Sequence, residues 1–153
     1  MQSILFVCLG NICRSPLAEG VFGHTAAEAG MRDLFHLDSA GTGAWHIGNA
    51  PDPRSIEVAR RHSIDIATQR ARQVQGSDFE AFDLILAMDE SNLATLRGRA
   101  PASAHAKLRL FLDTPPTDVP DPYYGGPGGF DDVYEMLKKG SQTLLKELTG
   151  RSL

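Results

Sequence analysis

The chain has 153 residues, of which 42% are hydrophobic and 22% charged, and it carries a formal net charge of −4. This length and balance fit one globular domain, which we expect to span residues 1–153 and to be a monomer. The negative charge disfavours nucleic acid as a partner. No apolar run approaches the roughly 18 residues that a membrane span requires. Residues 1–7 show no secretory-signal pattern, so we expect a cytoplasmic protein.

Apolar runs alternate along the chain with segments of helical periodicity. Buried strands are predicted at residues 3–8, 35–39, 82–88 and 108–112. Helices are predicted at residues 16–29, 53–62, 89–98 and 130–148. Gly30 is expected to end the first helix, and Asp89 is placed to cap the third. This alternation predicts the α/β class, with a three-layer α/β/α arrangement around a four-stranded parallel sheet.

Residues 113–129 interrupt this alternation. They contain four prolines before the pair Tyr123 and Tyr124, and they show neither helical nor strand periodicity. A connection longer than about 12–15 residues within a compact domain is usually functional or disordered. Because two adjacent tyrosines disfavour disorder, we predict that this segment is a binding loop.

Residues 8–16 combine the features of an anion-binding nucleophile. Cys8 follows the first predicted strand, and Arg14, Ser15 and Pro16 open the first predicted helix. In a parallel sheet this position lies near the switch point where ligands bind. Amides at a helix N-terminus bind phosphate-like anions, and with a nearby cation they favour the reactive thiolate. The segment is therefore predicted to be a phosphate-binding loop, in which Cys8 attacks and Arg14 clamps phosphoryl oxygens.

The other residues of this loop fit the same interpretation. Gly10 and Asn11 are residue types that tolerate the positive φ expected where loop amides turn inward. Ser15 can donate its hydroxyl to the thiolate, or it can cap the helix, and the two roles are compatible. The predicted phosphate- and substrate-binding residues of the loop are Leu9, Gly10, Asn11, Ile12, Cys13 and Ser15.

The histidines and cysteines give no sign of a metal or a cofactor. The five histidines are scattered, and none pairs with a cysteine at zinc-ligand spacing. Two cysteines do not make a disulfide framework. Cys13 follows Cys8 by five positions, and two hypotheses stand for it. It fills the loop as a buried thiol, or peroxide joins it to Cys8 in a reversible disulfide that shuts off and protects the site.

Several segments, taken in order, resemble motifs of the low molecular weight protein tyrosine phosphatases over nearly all 153 residues. They lie at residues 7–16, 39–42, 48–54, 71–73, 88–92 and 121–125. The resemblance implies that Cys8 is the nucleophile, Arg14 the transition-state clamp and Asp121 the general acid. It also implies that Asn11 and Ser39 hold the loop in place through side-chain hydrogen bonds.

The resemblance is less definite at other positions. Asp89 and Asn92 resemble supporting residues of the site, but helix capping explains them at least as well. The family often has a histidine near the position of Gln69, so any role of that histidine is absent here. His62 matches a family histidine that we interpret as structural. The stretch at residues 63–70 is also one residue longer than in many relatives.

Four side chains are predicted to wall a slot for a flat ring. Trp45 and Tyr123, together with Leu9 and Ile12, supply apolar and aromatic surface. A deep slot lets phosphotyrosine reach Cys8 but leaves the shorter phosphoserine out of reach. The sequence therefore predicts a metal-independent phosphatase that hydrolyses phosphotyrosine in protein substrates through a cysteinyl-phosphate.

Other functions on a similar loop differ in single residues. Arginine phosphatases that resemble this chain carry threonine in place of Ile12, and phosphocysteine carriers of sugar transport lack the arginine. Thioredoxin-coupled arsenate reductases need further cysteines, and none follows Cys13. A non-catalytic phosphotyrosine-binding module is expected to have lost Cys8, Arg14 or Asp121, whereas all three are present. These differences favour the tyrosine phosphatase.

Overall fold

The computed structural model describes residues 1–123 and 128–150. Its centre is a parallel four-stranded sheet with the strand order β2-β1-β3-β4. The strands are β1 (Gln2–Cys8), β2 (Phe35–Gly41), β3 (Leu84–Ala87) and β4 (Leu108–Leu110). The predicted α/β class and four-stranded parallel sheet are therefore confirmed.

Helices connect the strands. They are α1 (Arg14–Glu28), α2 (Pro53–Arg61), α3 (Asp78–Ala81), α4 (Glu90–Arg99) and α5 (Gly129–Thr149). The predicted helices match α1, α2, α4 and α5, but α1 begins two residues earlier than expected, at Arg14. Gly30 follows α1 with a φ of 72° and ends it as predicted. The single turn of α3 was not predicted.

The alternation of side chains along β1 explains why the sheet is covered on both faces. Ile4, Phe6 and Cys8 belong to the core that α1, α2 and α5 cover. Leu5 and Val7 belong to a second core on the opposite face, beneath α3 and α4. Because both faces of β1 are buried, the strand reads in the sequence as a continuous apolar run.

The fourth strand of the sheet ends earlier than predicted. β4 ends at Leu110, and residues 112–113 form β5 (Leu112–Asp113), an antiparallel hairpin with β6 (Pro116–Thr117). Phe111 closes the parallel ladder by donating its N–H to the carbonyl of Ala87, and then the chain turns away. The prediction of one strand at 108–112 was therefore wrong, and the predicted loop at 113–129 begins as a hairpin. Tyr124 and residues 125–127 of that loop lie outside the described residues.

The sheet order places Cys8 at the switch point. The chain passes from β1 to β2 on one side, and β3 lies on the other side of β1. The carboxyl end of β1 therefore opens between two diverging connections, which is where doubly wound sheets bind ligands. Across the described residues, none of the helices has both the length and the apolar character needed to cross a membrane.

Candidate active site

A pocket of about 450 Å³ lies at the carboxyl end of β1. It brings together residues that are far apart in the sequence, from the loop after β1, the segment after β2 and the segment before α5. They are Cys8, Leu9, Gly10, Ile12, Cys13, Arg14, Trp45, His46, Asp121 and Tyr123. All of these except His46 were predicted from the sequence. Asn11 and Ser15, which were also predicted, lie buried behind the loop.

The Cys8 sulfur has a hydroxyl group beside it. Ser15 Oγ lies 3.0 Å from Cys8 Sγ, and both residues are buried. The amide of Asn11 donates to the same Ser15 oxygen at 2.9 Å. Since Ser15 Oγ accepts that bond, its own proton is free to point to the sulfur. Ser15 is therefore oriented as a donor to a thiolate.

Asn11 holds the loop in a conformation that few residue types adopt. Its φ is 58°, in the left-handed region where asparagine is tolerated. Its amide nitrogen also donates to Ser39 Oγ at 2.9 Å, and its side-chain oxygen accepts the N–H of Arg72 at 3.0 Å. The contact with Ser39 is the one that the family resemblance implies. The positive φ predicted for Asn11 is therefore present.

Gly10 fits this position for a different reason from the one that the sequence suggested. The φ of Gly10 is not in the left-handed region. Within this loop, Asn11 is the residue with a positive φ. A Cβ at Gly10 would lie 3.0 Å from Cδ2 of the His46 ring. Gly10 therefore makes room for His46 at the pocket wall, and the expected positive φ at Gly10 was wrong.

The backbone of the loop is turned so that its amides face the pocket. Its carbonyls accept hydrogen bonds from donors between residues 42 and 55, outside the loop. The N–H groups of Thr42 and Gly43 donate to the carbonyls of Cys8 and Leu9, both at 2.9 Å. The N–H of Asp52 donates to the carbonyl of Ile12 at 2.7 Å, and the hydroxyl of Ser55 donates to the carbonyl of Cys13 at 3.2 Å. Within the described part of the chain, the N–H groups of residues 9–13 have no protein acceptor. Converging amides of this kind bind anions.

Arg14 is buried and held from behind. Its Nη1 donates to Oδ2 of Asp89 at 2.6 Å and to the carbonyl of Val119 at 2.9 Å. Burial alone would lower the pKa of the guanidinium, but the thiolate of Cys8 and the carboxylate of Asp89 outweigh it and raise that pKa. Arg14 therefore keeps its charge in a site that excludes most water, with Nη2 left to face the pocket.

Asp121 stands at the mouth of the pocket. Its Oδ2 lies 3.8 Å from Arg14 Nη2, and 40% of its side chain is exposed. Its Oδ1 accepts the N–H of Tyr123 at 3.0 Å, which fixes the carboxyl group relative to its own backbone. The structure thus places the predicted acid beside the predicted clamp, within reach of solvent water.

Arg54 joins the loop of Asp121 to the phosphate-binding loop. Its guanidinium forms an ion pair with Asp52 at 3.0 Å and donates to the carbonyl of Tyr123 at 3.2 Å. The hydrogen bonds from Arg54 lower the pKa of Asp52. The N–H of Asp52 in turn holds the carbonyl of Ile12. No sequence pattern indicated this bridge, apart from the Pro-Asp-Pro-Arg stretch at the start of α2.

Cys13 differs from Cys8 in its surroundings. Its side chain is buried, and burial together with the carboxylate of Asp52 raises the pKa of its thiol to about 12. Cys13 is therefore a thiol at neutral pH. Both cysteines are free in the structure, so the proposed disulfide between them stays a prediction.

A second group of polar residues supports the loop from the side of α1. Burial and the nearby carboxylate of Asp38 raise the pKa of Glu19 to about 7, although the hydroxyl of Ser39 acts to lower it. Gln69 donates to the carbonyl of Pro16 at 3.1 Å. Gln69 thus ties its own segment to the first turn of α1 at a position where the family often has a histidine.

The rim of the pocket carries the predicted aromatic residues. Trp45 is 72% exposed, Leu9 45% and Tyr123 39%. The ring of Tyr123 also lies under the guanidinium of Arg54, 5.3 Å from its carbon to the ring centre. These side chains extend the walls beyond the buried loop, so that Cys8 is buried in the pocket while apolar and aromatic side chains lie at its exposed rim.

These contacts place a sulfur nucleophile, oxyanion donors and a carboxyl group around one cavity. The arrangement fits nucleophilic attack by cysteine on a phosphoryl group. Among residues 1–123 and 128–150, no cluster of three or more His, Cys, Asp or Glu side chains could hold a metal ion.

Comparison with known proteins agrees with a site in which cysteine attacks a phosphoryl group. A model of the family "Low molecular weight phosphotyrosine protein phosphatase" matches residues 3–152. A protein of that name from Schizosaccharomyces pombe is 48% identical over 150 residues, with 95% of this chain and 96% of the relative covered. The crystal structure of a protein tyrosine phosphatase from Entamoeba histolytica, with Hepes in the active site, has a TM-score of 0.92 at 38% identity. That alignment covers 97% of each chain.

The solved structure of YfkJ from Bacillus subtilis is also similar, with a TM-score of 0.91 at 43% identity. Its alignment covers 98% of this chain and 96% of that one. The chain belongs to the low molecular weight phosphotyrosine protein phosphatase family.

Proposed function

We propose that the protein is a metal-independent protein tyrosine phosphatase that works through a cysteinyl-phosphate intermediate. The observation that carries the proposal is the position of Cys8, which is buried in the wall of a pocket that Arg14 and Asp121 also line, at the start of a loop whose N–H groups have no acceptor among the described residues. A phosphoryl group bound by those amides lies in line for attack by the thiolate. Family membership and the names of the relatives support the same activity.

In the first step, the Cys8 sulfur forms a bond to phosphorus while the bond to the tyrosine oxygen breaks. Asp121 gives its proton to that departing oxygen. The loop amides and the free edge of the Arg14 guanidinium bind the equatorial phosphoryl oxygens, whose charge grows in the transition state. Asp89 and Val119 O hold the other edge of the guanidinium, so that Arg14 needs no rearrangement during the reaction.

In the second step, water attacks the cysteinyl-phosphate and the bond between sulfur and phosphorus breaks. Asp121, now ionised, accepts the proton of the water, and inorganic phosphate leaves. The departing sulfur carries the negative charge, which the hydroxyl of Ser15 stabilises from 3.0 Å away. The site thereby returns to its starting state.

The substrates we propose are proteins that carry phosphotyrosine. Leu9, Ile12, Trp45 and Tyr123 wall the pocket and bind the phenyl ring of the substrate. Gly10, Asn11 and Cys13 shape the floor through their backbone. The protein is proposed to act as a cytoplasmic monomer without a nucleic-acid partner, as the sequence predicts.

Hydrolysis of p-nitrophenyl phosphate and of a phosphotyrosine peptide, in EDTA and reductant, tests the proposal. The parent protein is expected to hydrolyse both and to leave a phosphoserine peptide of the same sequence almost untouched. Cys8→Ser should abolish turnover, and Cys13→Ser is the matched control at the other loop cysteine. A folded, reduced parent protein without activity on either substrate would contradict the proposal.

A further inference from the structure

A second depression lies directly beside the catalytic pocket. Leu9 and Trp45 line both, so the two share one wall. The far side of the depression, which we call the Arg99 groove, is formed by Thr42, Ala44, Thr95 and Arg99. None of these four side chains has a part in the chemistry described above, and Thr42 contributes only its backbone N–H, which holds the carbonyl of Cys8.

Trp45 forms the ridge between the pocket and the Arg99 groove. Its indole lies against the backbone of Gly43, where a Cβ would fall 1.8 Å from Cζ3 of the ring. Any side chain at Gly43 would therefore push the indole off this position. With 72% of Trp45 exposed, a polypeptide that leaves the pocket can cross the ring and continue into the groove.

The groove contains one fixed positive charge. Arg99 lies in the last turn of α4, and its Nη1 donates to the carbonyl of Thr42 at 2.7 Å. That bond holds the guanidinium at the edge of the groove. In the part of the chain that the structure describes, no carboxylate forms an ion pair with Arg99. Arg99 is exposed, so its remaining donors are accessible at a surface continuous with the pocket.

We propose that the Arg99 groove is a subsite for an acidic side chain of the substrate, one to three residues away from the phosphotyrosine. The inference rests on the proposed function. An extended chain advances about 3.3 Å per residue, so one to three residues are enough to cross the indole of Trp45. Apolar contact with Leu9 and Trp45 positions the chain, and the guanidinium of Arg99 selects aspartate or glutamate.

The test is a set of phosphotyrosine peptides in a neutral host sequence. A single glutamate is placed at each of the three positions on either side of the phosphotyrosine, with glutamine in the matched peptide. For the parent protein, glutamate on one side should raise kcat/KM by about threefold, the scale of a solvent-exposed ion pair. Added salt should reduce this preference.

Variants assign the preference to the groove. Arg99→Gln should remove it, Arg99→Lys should retain most of it, and Arg97→Gln, which removes a charge from the same helix outside the groove, should leave it unchanged. Thr95→Glu places a carboxylate four residues before Arg99 on α4, where it can pair with the guanidinium, and it should abolish the preference for glutamate. This variant decides the question even where Arg99→Gln fails to fold.

Turnover of p-nitrophenyl phosphate separates the two claims, because this substrate does not extend beyond the pocket. All four variants should hydrolyse it at the parental rate. A parent protein that is active on p-nitrophenyl phosphate but shows no preference for glutamate would overturn the subsite and leave the proposed function standing. A preference that survives both Arg99→Gln and Thr95→Glu would overturn it as well.

Discussion

Asp89 uses its two carboxylate oxygens for two different tasks. Oδ2 lies 2.6 Å from Nη1 of Arg14, and Oδ1 accepts the N–H of Asn92 at 2.8 Å and caps α4. From the sequence, capping of the helix and support of the site were alternative roles for Asp89. In the structure, Asp89 has both roles. The guanidinium of Arg14 is thereby fixed to the start of a helix that packs on β3 and β4.

Replacing Asp89 with asparagine tests this coupling. The new amide side chain would keep the helix cap but would lose the charge that faces Arg14, so the guanidinium would be held less firmly. We expect kcat/KM for p-nitrophenyl phosphate to fall about tenfold and the free energy of unfolding to fall by about 1–3 kcal/mol. Asp118→Asn is the control, because Asp118 accepts the N–H of Glu90 at the same helix end. Equal kinetics for the two variants would contradict the coupling.

Ser15→Ala should slow the second chemical step more than the first. The hydroxyl 3.0 Å from the Cys8 sulfur stabilises the thiolate as it leaves phosphorus. We expect kcat to fall by about 10–100-fold and a burst of p-nitrophenol to appear before steady state. Ser55→Ala is the control, since this hydroxyl bonds the carbonyl of Cys13 instead. A variant without a burst, whose two steps slow equally, would argue against this role.

Arg54→Gln should weaken the action of the general acid. Arg54 bridges Asp52 to the carbonyl of Tyr123, two residues after Asp121. We expect kcat to fall about fivefold and to depend more steeply on the pKa of the leaving group, because aryl phosphates with poor leaving groups need the proton most. Arg60→Gln, on the outer face of α2, should match the parent. An unchanged leaving-group dependence would refute a positioning role for Arg54.

The two cysteines should differ in their response to peroxide. Because the pKa of Cys13 is about 12, its thiol is a poor first target for peroxide, and oxidation should begin at Cys8. Peroxide should inactivate both the parent and Cys13→Ser, but dithiothreitol should restore the parent to a much greater extent. Equal recovery of activity in the two proteins would remove the disulfide hypothesis.

Glu19 should make the stability depend on pH. Its pKa of about 7 in the folded state lies above its ordinary value of 4.5, so the folded protein binds more protons between these values. The free energy of unfolding therefore falls as pH rises through this window, and the full penalty is present above it. Burial is the largest cause of the raised pKa, Asp38 adds to it, and the cationic Arg32 and Arg72 oppose it.

Urea unfolding of Glu19→Gln measures that penalty. At pH 8 the variant should be more stable than the parent by about 1–3 kcal/mol, and at pH 5 the gain should be much smaller. Glu80→Gln, at an exposed position on α3, is the control and should show no such difference. A gain of equal size at both pH values would mean that Glu19 is ionised throughout.

The parts of the fold that the sequence predicted are those with a local physical signal. The strand at β1 is buried on both faces and reads as an unbroken apolar run, Asp89 caps α4, and apolar side chains recur along α1 and α5. The hairpin of β5 and β6 was missed because Leu112 continues the apolar run of β4. The break after Phe111 depends on a contact with Ala87, which no local pattern reveals.

The same distinction applies to the site. The spacing of Cys8, Arg14 and Ser15 is local, so their proximity followed from a strand, a short loop and a helix. The residues that hold the loop from outside come from elsewhere in the chain, as Asp52 and Ser55 do. His46 was missed because its place beside Gly10 depends on how the segment after β2 folds back over the loop.

The most direct test of the central claim is to find the phosphoryl group on the enzyme. The parent, Cys8→Ser and Asp121→Asn proteins are mixed with p-nitrophenyl phosphate, denatured within milliseconds and digested for peptide mass spectrometry. The account predicts one phosphoryl group on the peptide that contains Cys8, in the parent and in Asp121→Asn, and none in Cys8→Ser. Turnover by the parent with no phosphoryl group on Cys8, or with one on another residue, would contradict it.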